Sequence, residues 1–118
     1  SDKIELIEEF NILALTSSSQ VLAFSNISKG CATATTVGTK EVFTTALLLN
    51  ATRIVIAHNH PSGNLNPSLL DMTLTKKVKT AGEVLNIALL DHLIVTPFGY
   101  YSFADEGVLE HCDLPYYS

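Results

Sequence analysis

A run of β-branched apolar residues that ends in two histidines constrains this chain more than any other feature. Arg53-Ile54-Val55-Ile56-Ala57 reads as a buried strand that stops at His58, and His58-Asn59-His60-Pro61-Ser62-Gly63 follows without a spacer. Residues two apart on an extended chain point to the same side, so His58 and His60 both face one ion if strand geometry persists through Asn59. Pro61 and Gly63 then break the strand and turn the chain. From Ser68 to Ala81 the apolar positions Leu69, Met72, Val78 and Ala81 predict a helix, with Lys76, Lys77 and Lys79 towards its end and Gly82 as a left-handed stop. Ser68 is then the N-cap and Asp71 the third helical residue, and the loop from Gly63 to Pro67 returns the helix start towards the histidines. Two imidazoles and a carboxylate, His58, His60 and Asp71, make a three-ligand transition-metal site. Three protein ligands leave a fourth position open, as in a catalytic rather than a structural zinc site.

Each piece alone has a plainer account. Ser68-x-x-Asp71 is close to a capping box, and an acid in the first helical turn is favoured by the helix dipole. A single histidine at a strand end is more often a hydrogen-bonding surface residue. The order of the pieces argues for metal: a His-x-His pair closing an apolar strand, with the acid one short loop away.

The rest of the chain supplies a small α/β domain. Its 118 residues support one domain, residues 1–118, and the 47% that are hydrophobic suffice for one sheet and two or three helices. Phe10 to Leu15 and Val21 to Phe24 flank Thr16-Ser17-Ser18-Ser19-Gln20 as a hairpin, with the second strand continuing irregularly through Ile27. A helix is expected from about Lys40 to Asn50, capped by Thr39, with Val42, Phe43, Ala46, Leu47 and Leu49 on its apolar face. A strand from Ile87 to Val95 follows the second helix, and Tyr100 to Phe103 adds a short edge strand. The order ββαβαβ(β) gives a mixed β-sheet sandwiched by helices. No apolar run approaches the roughly 20 residues that span a bilayer, so no membrane partner is expected. No signal peptide opens the chain, and the start at Ser1 suggests a fragment. Cys31 and Cys112 have no Cys-x-x-Cys partner, which favours free thiols and a cytoplasmic location. A net charge of −5 and a pI near 5.2 argue against strong nucleic-acid binding by this domain. Lys76, Lys77 and Lys79 read as a solvated helix face.

The segment His58-Asn59-His60-Pro61-Ser62-Gly63 with Pro67-Ser68-Leu69-Leu70-Asp71 closely resembles the metal-binding signature of the RadC family. That family is a bacterial branch of the JAB/MPN (JAMM) metalloprotease superfamily, whose architecture is cytidine-deaminase-like. The resemblance continues in Ala81-Gly82 and Leu89-Leu90-Asp91-His92-Leu93-Ile94-Val95 and ends near Tyr101 to Gly107, covering roughly residues 8 to 109. It implies a Zn2+ cofactor and hydrolysis of a peptide or isopeptide amide in a protein or peptide substrate. It also implies a glutamate before the first core strand as proton shuttle, and Glu8 holds that place. Glu9 neighbours it on the opposite face of an extended segment, and Glu41, in the first turn of the expected helix, is the second candidate. Ser68 could donate its hydroxyl to an oxyanion. Asp91 and His92 can be read as a further catalytic pair; the simpler readings are a hydrogen bond that supports a ligand histidine and fixes its tautomer, or plain hydrogen bonding within the sheet. His111 and Cys112 are read as incidental. The rival expectations are a non-catalytic metal module associated with DNA repair and a metal-dependent nuclease. Full-length members of the family carry a helix-hairpin-helix segment that this chain lacks.

Overall fold

Buried residues alternate along residues 10–14 and along the apolar run at 53–59, so each segment turns one face to a core and one outward. In the computed structural model, residues 8–28 and 37–111 are described. Cys31, Cys112, the lead-in 1–7 and the tail 112–118 lie outside that range. The elements are β1 (Phe10–Leu15), β2 (Val21–Asn26), α1 (Thr39–Leu48), β3 (Arg53–Asn59), α2 (Leu69–Leu85), β4 (Ala88–Thr96), β5 (Gly99–Ser102) and a closing 3-10 turn, Leu109–His111. They form one five-stranded sheet in the order β2-β1-β3-β4-β5. β3 and β4 are parallel, and every other neighbouring pair is antiparallel. This is the mixed-sheet α/β class expected from the order of elements. No helix among the described residues is long and apolar enough to cross a membrane.

Register decides which face carries the site. Ile12 lies opposite Ile56 and Phe10 opposite His58. Phe10, Ile12, Ala14, Ile54 and Ile56 therefore share a face, and that face packs against Val42, Phe43 and Ala46 of α1 and Val78 of α2. Ile12, Ile54 and Ile56 are fully buried, each contributing about 1.5–3 kcal/mol of apolar transfer. His58 continues the same alternation and so points to the core face, at the carboxyl end of β3. Ligand sites favour that end of a parallel pair, where the crossover helix begins.

Three local expectations are revised. β3 does not stop at the first histidine but runs through Asn59, held by pairing with both β1 and β4. α1 begins one residue earlier than expected: Gly38 is the N-cap, and its N–H donates to Glu41 Oε1. Gly82 does not end α2. It is buried inside the helix because a Cβ there would meet the Ile87 carbonyl oxygen at 2.2 Å. The left-handed stop is Asn86 at φ 59°, the residue type that follows glycine in tolerance of this conformation. Leu47 and Leu69, counted among the apolar faces, are exposed.

Candidate metal centre

The strand end is built by residues far apart in sequence. The Glu9 N–H donates to Asn59 Oδ1, and the Asn59 N–H donates to the Glu9 carbonyl at 3.3 Å. This pair extends the β1–β3 ladder by one step and sets Glu8 beside the first histidine, with Glu8 Oε2 3.9 Å from His58 Nε2. The Phe10 ring stacks on His58 at 5.1 Å. The His60 N–H donates to the Val95 carbonyl, and Gly63, at φ +85°, turns the chain where a side chain would press on Phe98 at 3.1 Å. The loop then delivers a complete capping box: the Asp71 N–H donates to Ser68 Oγ at 3.0 Å and the Ser68 N–H to Asp71 Oδ2 at 2.8 Å.

Hydrogen bonding fixes where the protons of the neutral imidazoles lie. A carbonyl oxygen can only accept, so His60 Nδ1, 2.8 Å from the Asn64 carbonyl, is the donor and Nε2 carries a lone pair. That lone pair faces Asp71 Oδ2 at 3.1 Å, two acceptors that need a proton or a cation between them. Thr75 Oγ spends its one proton on the Asp71 carbonyl at 2.6 Å and so accepts from His92 Nδ1, also at 2.6 Å. His58 Nδ1 lies 3.2 Å from Asp71 Oδ1 and donates to it. Each imidazole is thus held at Nδ1; His60 Nε2 faces Asp71, and the Nε2 atoms of His58 and His92 are buried with no hydrogen-bond partner among the described residues. An unmet buried acceptor costs about 1–3 kcal/mol, which a bound cation would offset. Metal-ligating histidines are typically anchored in this way, through the other ring nitrogen.

The electrostatics favour an ionised Asp71 near a neutral His92. Burial alone would raise the Asp71 carboxyl, but the hydrogen bonds from His58 and Ser68 together outweigh it and hold the group well below the usual carboxylate range. Burial pushes His92 down to about 3, so its ring is neutral at physiological pH.

One ligand atom each from His58, Asp71 and His92 lie within 4.8 Å of one another. This group includes His92, which the sequence leaves open between a catalytic pair with Asp91, support of a ligand histidine and plain hydrogen bonding. His92 reaches it because β4 lies parallel to β3 with His92 opposite Ile56, a long-range pairing that residue spacing does not reveal. His60 stands at the side of the group, within reach of Asp71. Asp91 is structural: it accepts from the His92 and Ala104 N–H groups and from Ser102 Oγ. Glu41 is engaged in the α1 cap. Glu8 and Ser68, by contrast, line a cavity of about 750 Å³ that opens over His58, His60 and Asp71. Leu70, Leu74 and Lys77, one face of α2, form another of its walls.

Residues 2–108 match the family model of the RadC-like JAB domain. The chain is 50% identical over 101 residues to a UPF0758 protein of Flavobacterium johnsoniae, covering 86% of this chain and 44% of that protein. It is 42% identical over 103 residues to a UPF0758 protein of Symbiobacterium thermophilum, covering 87% and 44%. It is 40% identical over 102 residues to the UPF0758 protein YfjY of Escherichia coli, covering 86% and 64%. The chain therefore spans less than half the length of the first two relatives.

Proposed function

Since the chain belongs to the RadC-like JAB domain family, we propose that it is a zinc-dependent hydrolase of peptide or isopeptide amides. The observation that carries this reading is that ring nitrogens of His58 and His60 both lie within 3.2 Å of the Asp71 carboxylate beneath an open cavity. Nitrogen and carboxylate donors in this combination fit zinc. His58, His60 and Asp71 would hold the ion. When bound, zinc polarises a carbonyl and brings the pKa of water close to 7.

The remaining work falls to the protein's own side chains. Glu8, part-exposed on the rim, would take a proton from the attacking water at a carboxylate oxygen and return it to the departing amine nitrogen as the C–N bond breaks. The Ser68 hydroxyl accepts the Asp71 N–H through a lone pair, which leaves its proton available to an oxyanion in the cavity. Leu70 and Leu74 offer an apolar wall for a substrate chain. Among the described residues, Lys77 is the single cationic side chain lining the cavity, alongside Glu8 and Asp71. That balance favours an amide over a phosphoester substrate.

Metal content tests the premise. The purified protein is expected to retain zinc, and His58→Ala and Asp71→Ala are each expected to release it. Unchanged zinc retention in both variants would sink the proposal.

A further inference from the structure

We infer that His92 Nε2 is a further metal donor, giving the ion a resting position between His58, Asp71 and His92 when His60 is disengaged. The inference rests on the metal-site reading above and extends it from one arrangement of ligands to two that share His58 and Asp71.

Several independent features of His92 lead there. Its Nδ1 proton is committed to Thr75, and Thr75 in turn donates to the backbone carbonyl of Asp71, itself a proposed ligand. The tautomer that leaves Nε2 free to bind metal is therefore fixed by the residue on the other side of the site. The ring is fully buried, stacked on Phe103 at 4.6 Å and flanked by Phe10 at 5.7 Å, and Nε2 has no hydrogen-bond partner among the described residues. Distance is compatible for the His92 ring: two donors at 2.0–2.1 Å from one tetrahedral zinc lie about 3.3 Å apart, and one ring nitrogen of His92 lies within 4.8 Å of ligand atoms of both His58 and Asp71. His60, by contrast, borders the cavity on a loop and is anchored through a backbone carbonyl. It is the ligand that can leave without disturbing the core. An ion held by His58, Asp71 and His92 is drawn towards the core, and engagement of His60 draws it towards the cavity.

Chelator competition for zinc separates the possibilities in the full chain, its His60→Ala variant and the double variant His60→Ala with His92→Phe. The single variant is expected to bind zinc within about tenfold of the unsubstituted chain, less than loss of a required partner costs. The double variant is expected to lose more than about a further hundredfold. If His60→Ala alone weakens binding as much as the double variant does, His92 donates nothing and the inference is overturned. A spectroscopic readout guards against misfolding: with spin-active cadmium in place of zinc in the His60→Ala variant, metal coupling to the labelled His92 Nε2 supports the inference, and coupling to His58 without His92 overturns it. Unchanged zinc retention in His58→Ala and Asp71→Ala would instead remove the underlying metal centre, a distinguishable failure.

Discussion

His60 meets Asp71 from the cavity and His92 lies behind it in the core, and the two histidines are held by different means. His60 sits on a loop between Pro61 and the end of β3, anchored through one carbonyl of that same loop. Glu8, its companion on the rim, has a side chain 38% exposed. His92 is fixed within a sheet strand, ring-stacked on Phe103 and bonded to Thr75, with Asp91 tying the strand to residues 102–104. The rim can change its contacts at little cost to the fold. The floor cannot, because His92 Nδ1, the Thr75 hydroxyl and the Asp71 carbonyl satisfy one another in a buried chain of hydrogen bonds. A site assembled this way separates chemistry from stability, and substitutions on the two sides should fail in different ways.

The largest contrast should come from the rim. Glu8→Gln is expected to slow amide hydrolysis by about 10²–10⁴-fold, the usual contribution of a general acid–base group, while zinc content and melting temperature stay unchanged. Turnover of a peptide or isopeptide amide, followed beside thermal unfolding, checks both halves. A Glu8→Gln protein that melted early would place Glu8 in the structure rather than in the chemistry.

Acid should strike the floor. In the metal-free protein His92 is pushed from 6.5 to about 3. Between those values the unfolded chain binds a proton that the folded chain refuses, so the contribution is full above about pH 6.5 and is lost as pH falls towards 3. At about 1.4 kcal/mol per unit the loss is of the order of several kcal/mol. Asp71, also depressed, acts in the same direction at lower pH, its contribution present above the ordinary carboxylate value and lost as the group protonates. Denaturant unfolding at pH 7 and pH 4.5 measures the combined effect, and His92→Phe should flatten the upper part of the acid limb.

Thr75→Val removes the hydroxyl that joins His92 Nδ1 to the Asp71 carbonyl. It should destabilise the metal-free fold by about 1–3 kcal/mol, because a buried donor loses its acceptor without a change of shape. Equilibrium unfolding that matched the unsubstituted protein would show that the floor is not held as described. Ser68→Ala stands between the two regions and should destabilise less than Thr75→Val, by about 1 kcal/mol for a lost N-cap. If its effect on turnover is no greater than on folding, the oxyanion role is removed and the capping role stands.

Much of the rim was legible in the sequence. His58, His60, Ser68 and Asp71 lie within one strand, loop and helix start, where period-two alternation and the capping box operate over a few residues. Ser68 and Asp71 form the cap that their spacing predicts. The sheet class was legible for the same reason, since each strand announces itself by local alternation. Gly82 and Asn86 were misread because glycine has two uses. It can stop a helix, or it can admit a close neighbour, and the Ile87 carbonyl that decides between them lies beyond the helix end. The floor was not legible. His92 carries an ordinary strand pattern, and Thr75 is one of several threonines.

The sequence by itself determined that one short stretch presents two imidazoles and a carboxylate at the end of a buried strand, because those geometries are set by backbone periodicity. Only the tertiary structure decided what surrounds them. The Glu9–Asn59 pairing across 50 residues returned Glu8 to His58, and the parallel register of β3 and β4 brought His92 behind Asp71. Those placements depend on which strands lie side by side and in what register, and that is settled by burial of the whole core face rather than by any local run of residues.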